Sequence, residues 1–256
     1  MQPDVSVVIA AYNAEEGVAR AIRSALSQVG VTVEVVVVDD QSTDATVKIV
    51  RGFAGDGVRL VALTRNVGPG GARNAGLDVA TGRWIAILDS DDTLLPDRLA
   101  RMIALGESRQ AQVVVDNLEV VQEGATTGDV MFPTGFLSAI EEINLADFIR
   151  SNILFKTTFN FGYMKPIFDR EFLVRQAVRY EESLRIGEDY IFLASVLAKG
   201  GKCVVDPGTG YLYHIRQASI SRVLEPRHVA SMREADIRFE KQHVITGKAR
   251  DAFDLR

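Results

Sequence analysis

A single cysteine, Cys203, is all the sequence carries, so no internal disulfide can form and the chain fits a reducing compartment. The Cys/His spacings of structural zinc sites are missing too. Positive charge is not in excess: 29 Lys and Arg stand against 34 Asp and Glu, a net −5. That balance argues against a nucleic-acid binder that works by neutralising phosphates, with a local basic patch left open. Long apolar runs are also absent, since stretches such as VEVVVV fall well short of the roughly 18 residues a membrane span requires. The first residues, MQPDVSVVIAAYN, enter an apolar strand without the basic start and small-residue cleavage site of a signal peptide. The expected location is cytoplasmic, with peripheral contact at the inner face of the cell membrane left open.

What is present suffices for a substantial core: 256 residues, 47% hydrophobic and 25% charged, ordinary proportions for a globular domain. The first hundred residues alternate strand and helix. Strands are expected at VSVVIAAY (5–12), VEVVVVD (33–39), VRLVALT (58–64) and RWIAILD (83–89), with helices near 15–28, 43–53 and 70–79. In the first helix Val18, Ile22, Leu26 and Val29 recur at three-to-four spacing. The strands are continuous β-branched runs, the pattern of a parallel sheet covered on both faces. The fold class is therefore α/β, a Rossmann-like, mostly parallel sheet with helices on both faces, followed by a smaller acceptor-side subregion. Residues 1–110 form the first half, 111–222 the second half of the same domain, and 223–256 a helical tail. Within the second half an aromatic stretch, FIRSNILFKTTFNFGYMKPIF, reads mostly as core, with an acceptor wall or a lipid-facing surface as alternatives. A helix follows at GEDYIFLASVLAKG, then two short strands, KCVVD and GYLYHI.

Ligands of open α/β sheets sit beyond the carboxyl ends of the strands. Here those ends are Tyr12-Asn13, Asp39-Asp40, Arg65-Asn66 and Asp89-Ser90-Asp91-Asp92. Like charges so close disfavour joint ionisation unless a cation offsets them. Asp89-Ser90-Asp91 is an Asp-x-Asp that two carboxylates could turn toward one hard cation, Mg²⁺ or Mn²⁺, whose other ligands are diphosphate oxygens and water. The competing explanation is a solvated loop in which Asp92 or Thr93 caps the helix near Leu95-Pro96. Asp40 is placed to accept the N–H of a base, while Ser42 or Thr43 caps the next helix. RNVGPGGARNAG (65–76) is a glycine-rich turn where backbone N–H groups and Arg73 can meet an anion, or a purely structural loop. Glu188-Asp189 open a helix, whose dipole both acids satisfy; alternatively Asp189 is a general base. His214 is a candidate metal ligand or diphosphate contact, or a packed histidine.

Taken in order, VSVVIAAYN, VVVVDDQSTDAT, RNVGPGGARNAGL, ATGRWIAILDSDD, YEESLRIGEDYIFL and YLYHIRQASIS resemble the inverting glycosyltransferases of family 2, with the GT-A fold, over about residues 5–222. The resemblance implies a nucleotide-sugar site formed by Ala11, Tyr12, Asn13, Asp40, Asn66, Arg73, Asp89, Ser90, Asp91, His214, Arg216 and Ser219. It puts Asp40 at the base, Asp89 near ribose and metal, and Asp189 in the role of catalytic base. Asp89, Asp91 and His214 form the expected metal set for Mn²⁺ or Mg²⁺. The implied reaction is transfer of a hexose from a UDP-sugar to a saccharide, the expected acceptor being a lipid-linked oligosaccharide of exopolysaccharide biosynthesis. One departure is Ala10, where the family usually has proline. The family also often continues into a membrane-associating C-terminal part. Two alternatives keep the fold: a nucleotidyltransferase acting on a sugar phosphate, and a non-catalytic partner of another transferase.

Overall fold

The computed structural model describes residues 2–122, 125, 127–153, 157–215 and 225–256. The strands are β1 (Val5–Ala11), β2 (Val33–Asp39), β3 (Val58–Ala62), β4 (Trp84–Asp89), β5 (Thr93–Leu94), β6 (Val113–Val121), β7 (Asp129–Val130), β8 (Ile167–Asp169) and β9 (Cys203–His214). The helices are α1 (Val18–Leu26), α2 (Thr46–Arg51), α3 (Gly68–Val79), α4 (Arg98–Arg109), α5 (Thr134–Ser138), α6 (Leu145–Ser151), α7 (Arg170–Arg175), α8 (Glu188–Ala198), α9 (Pro226–Gln242) and α10 (Gly247–Phe253).

One sheet runs through the molecule in the order β3-β2-β1-β4-β8-β6-β9-β5, with β7 beside β6. Its long ladders, β1 with β2 and β4, β2 with β3, and β6 with β9, are parallel; the antiparallel joints through β8 and β5 span two or three residue pairs. Alternation along β2 decides which helix covers which face. Val35 and Val37 join the core that includes Val18 and Ile22 of α1, whereas Val36 and Val38 pack with Ala72 of α3. Both faces are thus buried, which is why the strand reads as an unbroken valine run.

Several elements differ from expectation for identifiable reasons. Helix α1 stops at Leu26 and leaves Val29 exposed, and its buried stripe is Val18, Ala21, Ile22 and Ala25. The two short strands expected around 202–215 are one strand, β9. Its register against β6 shifts between Asp116 and Leu118, where Asp116 faces Asp206 and Asn117 faces Thr209. Pro207 and Gly208 fall in that irregularity, so residues that punctuate most strands are accommodated by a bulge. No helix among the described residues is long and apolar enough to cross a membrane. In the aromatic stretch Phe148, Phe161, Phe168 and Phe172 are buried, and Phe168 meets Phe192 of α8 edge to face at 5.0 Å. Phe155 and Lys156 lie outside the described residues.

Candidate active site

The ends of β1 and β2 are tied by side chains rather than left open. Asn13, at φ 47, donates its N–H to Ser42 Oγ at 2.9 Å and accepts the Thr43 N–H at 2.9 Å. Ser42 and Thr43 therefore do not cap α2, which begins after Ala45 without a side-chain cap; they lock this loop to β1 instead. Ala11 accepts the Asp40 N–H through its carbonyl at 2.8 Å, and Tyr12 projects into solvent. Asp40 itself is buried. Its two oxygens accept the N–H groups of Val67 and Gly68 at 2.7 and 2.8 Å, so it satisfies the start of α3. Burial nonetheless pushes its carboxyl above the ordinary range, against those two N–H groups.

The glycine-rich turn is built for close approach. Gly68 sits at φ +85, and a Cβ there would lie 2.3 Å from Arg185 Nη1, a conformation and a contact that favour glycine. Arg185 in turn donates to Asn66 Oδ1 at 2.9 Å. Further along α3, a Cβ on Gly76 would stand 2.4 Å from Val8 Cγ1, so the helix lies close against the valine side chains of β1. Asn74 pins the segment before α8 by donating to the Tyr180 carbonyl at 3.0 Å and accepting its N–H at 2.8 Å.

Arg73 turns away from solvent into a nest of acids. It reaches Asp89 at 2.8 Å, Glu188 at 2.6 Å and Asp189 at 3.3 Å. Burial opposes its charge, but Asp189, Asp89 and Glu188 outweigh that and hold the guanidinium ionised. Lys165, which the sequence reading passed over as a site residue, stands 2.7 Å from Asp89 and 3.5 Å from Asp189. Burial again opposes the charge, and Asp89 and Asp189 overcome it. Asp89 is correspondingly held well below the usual carboxylate range: burial would raise it, but Lys165 and Arg73 prevail. Glu188 is pushed up by burial and by Asp189, with Arg73 opposing.

The third acid of the cluster behaves differently. Asp92 is fully buried and caps no helix, because α4 begins only after Asp97 and Thr93 joins β5. It accepts the Tyr211 O–H at 2.7 Å and the His214 N–H at 2.8 Å. Burial, then the charges of Asp89 and Asp91, push its carboxyl up to about 8. Tyr211 also accepts the Asp89 N–H at 3.2 Å, so β9 braces the end of β4. Asp91 and Ser90 are half-buried at the rim, and the Asp91 carbonyl accepts from Arg20 at 2.5 Å.

Asp89, Asp91 and His214 do not assemble as a three-ligand metal set: among the described residues no three His, Cys, Asp or Glu side chains are grouped to hold an ion. The reason is visible at two of the three, since Asp89 is engaged by two cations and His214 Nε2 lies 3.0 Å from Thr93 Oγ1. The oxygen chemistry that suits Mg²⁺ or Mn²⁺ is offered at the rim by Asp91. Arg216 and Ser219 lie outside the described residues.

The arrangement brings Arg73, Asp89 and Asp189 into direct contact, with Asp40 and Asn66 at the head of the same helix. Asp189, with its side chain 32% exposed, is the acid of this nest best placed to meet a ligand. Lys165, Glu188, Asp92, Tyr211 and Arg185 complete the site.

Residues 6–172 match the family model described as Glycosyl transferase family 2. The chain is 55% identical over 248 residues, covering 96% of itself and 71% of the relative, to the succinoglycan biosynthesis protein ExoO of Rhizobium meliloti (strain 1021). It is 29% identical over 220 residues, 85% of itself and 79% of the relative, to the UDP-Glc:alpha-D-GlcNAc-diphosphoundecaprenol beta-1,3-glucosyltransferase WfaP of Escherichia coli. In three dimensions it aligns with S. aureus TarS 1–349, crystallised with UDP-GlcNAc, at a TM-score of 0.78 and 22% identity, over 96% of this chain and 69% of that one. The structural likeness establishes the GT-A fold, and the sequence matches show that the chain belongs to glycosyl transferase family 2.

Proposed function

We propose that this chain transfers a hexose from a UDP-sugar to a saccharide carried on a lipid diphosphate, with inversion, as a step of exopolysaccharide assembly at the cytoplasmic face of the membrane. The observation that carries the reading is Asp189: a partly exposed carboxylate at the head of α8, oriented by Arg73 at 3.3 Å and Lys165 at 3.5 Å, beside the acids that end β4. The names of ExoO and WfaP support the pathway and the acceptor class.

In this reading the nucleotide lies across the ends of β1, β2 and β4, with Asp40 at the base and Asp89 toward the ribose. Asp189 takes the proton of the acceptor hydroxyl as that oxygen bonds to the anomeric carbon, and the bond to UDP breaks on the opposite side, its electron pair leaving with the diphosphate. Arg73 and Lys165 fix the Asp189 carboxylate in place, and the same pair places positive charge next to the departing group. Asp91 is the side chain that would hold Mn²⁺ or Mg²⁺ against the diphosphate, and a bound cation of this kind supplies Lewis-acid neutralisation of the leaving group.

Calorimetry tests the site. UDP should bind appreciably better with Mn²⁺ or Mg²⁺ present, and Asp91→Asn should abolish the enhancement; equal affinity with and without metal removes the cation from the mechanism. A donor screen scored by UDP release, against pyrophosphate release from UTP plus a sugar phosphate, separates glycosyl transfer from nucleotidyl transfer.

A further inference from the structure

Beside the donor crevice lies a cavity of about 320 Å³, lined among the described residues by Ser183, Arg185, Ile186, Arg227, His228 and Ser231. None of the site residues discussed above occupies it except Arg185, and its size is that of a small-ligand pocket.

The polarity of its wall is one-sided. Arg185 and Arg227 can only donate hydrogen bonds. His228 accepts the Glu225 N–H through Nδ1 at 3.2 Å, which leaves the proton of the neutral ring on Nε2 and makes that nitrogen a donor as well. Ser231 can donate through its hydroxyl, whereas the Ser183 O–H is given to Glu181 at 2.8 Å. The nearby acid, Glu225, is already spent on Arg227, at 2.8 Å to Nε and 3.1 Å to Nη2. A sugar face needs acceptors as well as donors, and a cation needs carboxylates. A wall of donors with two guanidinium groups suits an acceptor-rich anion, and diphosphate is the matching shape and charge.

Placement says which diphosphate. Arg185 stands over Gly68 and holds Asn66 on the donor side, while Ile186 leads through Gly187 directly into Glu188 and Asp189. The cavity therefore borders the segment that leads into the proposed base. Its walls are tied together: Arg238 of α9 bonds Glu181 at 3.1 Å and Ser183 at 2.7 Å. Resting on the function proposed above, we infer that the pocket between the 183–186 segment and the first turns of α9 binds the diphosphate that links the acceptor saccharide to its lipid.

The test has two arms. In EDTA, inorganic pyrophosphate is titrated calorimetrically into the wild type, Arg227→Ala, Ser231→Ala and Arg227→Lys. Expected are saturable binding to the wild type that UDP does not displace, at least tenfold weakening in the two alanine variants, and partial recovery in Arg227→Lys. Displacement by UDP, equal binding of orthophosphate, or unchanged affinity in the variants overturns the assignment. In the second arm, UDP release is followed with a saccharide-diphosphate-alkyl acceptor and with the same saccharide as a plain alkyl glycoside. Arg227→Ala should raise KM at least tenfold for the first acceptor alone, leaving kcat and donor KM unchanged; equal effects on both acceptors overturn the assignment. No UDP release with either acceptor would defeat the proposed function instead, and the pyrophosphate arm would still decide whether the anion pocket exists.

Discussion

The ammonium of Lys165 lies 2.7 Å from Asp89 Oδ2, and this contact explains why a buried strand can end in a run of aspartates. Each acid is dealt with by a separate device. Asp89 is compensated by Lys165 and Arg73, Asp92 is buried and pushed up to about 8, and Asp91 stays at the rim. The chain supplies from its own side chains much of the positive charge for which the sequence offered a metal as one candidate source.

Removing Lys165 should therefore destabilise the protein even without ligand. Breaking a buried ion pair by deleting one partner typically costs about 3–5 kcal/mol. Arg73 remains beside Asp89, so Lys165→Met is expected to cost the lower end of that range, about 3 kcal/mol, by urea denaturation at pH 7. The sign with pH follows from Asp89, whose folded pKa is depressed. The stability it contributes is present above its unfolded value near 4 and is lost as pH falls, so the penalty of Lys165→Met should shrink in acid. A variant as stable as wild type at pH 7 would mean that Arg73 alone compensates Asp89.

Asp189→Asn separates catalysis from binding. The amide keeps the shape at the head of α8 but cannot accept a proton, and a positioned base contributes about 10²- to 10⁴-fold. Turnover should fall by that factor while the Kd for UDP stays within about twofold, measured by UDP release and calorimetry on one preparation. Near-normal turnover would exclude Asp189 as the base.

Asp92 predicts a slope in stability with pH. Its folded pKa is raised to about 8 by burial and by Asp89 and Asp91, above an unfolded value near 4. The stability from its protonated form is complete below about pH 4 and is lost as pH rises through about 8, by up to about 1.4 kcal/mol per pH unit. Asp92→Asn is neutral throughout and carries only a constant offset for its altered hydrogen bonds to Tyr211 and His214. In EDTA, the urea midpoint of the variant relative to wild type should climb from pH 5 to about 8 and then level off. Parallel curves would show Asp92 ionised across that range.

How far the sequence sufficed depends on how local each signal is. The valine run at 35–38 and the β-branched strands around it announce a doubly covered parallel sheet, because both faces of β2 are buried. The start of α8 was legible for a similar reason, since Gly187 and two acids mark it. Lys165 was not legible: its partners are 76 and 24 residues away, and no periodicity links them. The alternative in which Asp92 or Thr93 caps a helix does not hold for Asp92, because its partners, Tyr211 and His214, arrive from β9, more than a hundred residues later. Arg73 was expected to meet a ligand's anion; the partners the fold gives it are Asp89, Glu188 and Asp189 of the protein itself.

A last prediction concerns the support beneath the site. Arg98 and Asp116 are both fully buried and joined by two hydrogen bonds, Nε to Oδ2 at 2.9 Å and Nη2 to Oδ1 at 2.8 Å. Arg98 also donates to the Lys165 carbonyl and lies over the Tyr211 ring at 5.4 Å. The pair thus connects the two residues that manage Asp89 and Asp92. Gly210 makes room for it, since a Cβ there would stand 2.4 Å from Asp116 Oδ2. Asp116→Asn leaves the guanidinium without its counter-charge and should cost about 3–5 kcal/mol, whereas replacing both partners by apolar residues, Arg98→Met with Asp116→Leu, should recover most of that loss. Urea denaturation of Arg98→Met, Asp116→Leu and the double variant gives the coupling directly. If the double variant regains stability but UDP release stays depressed, the pair serves to position Lys165 and Tyr211; if both recover together, its role is confined to filling the core.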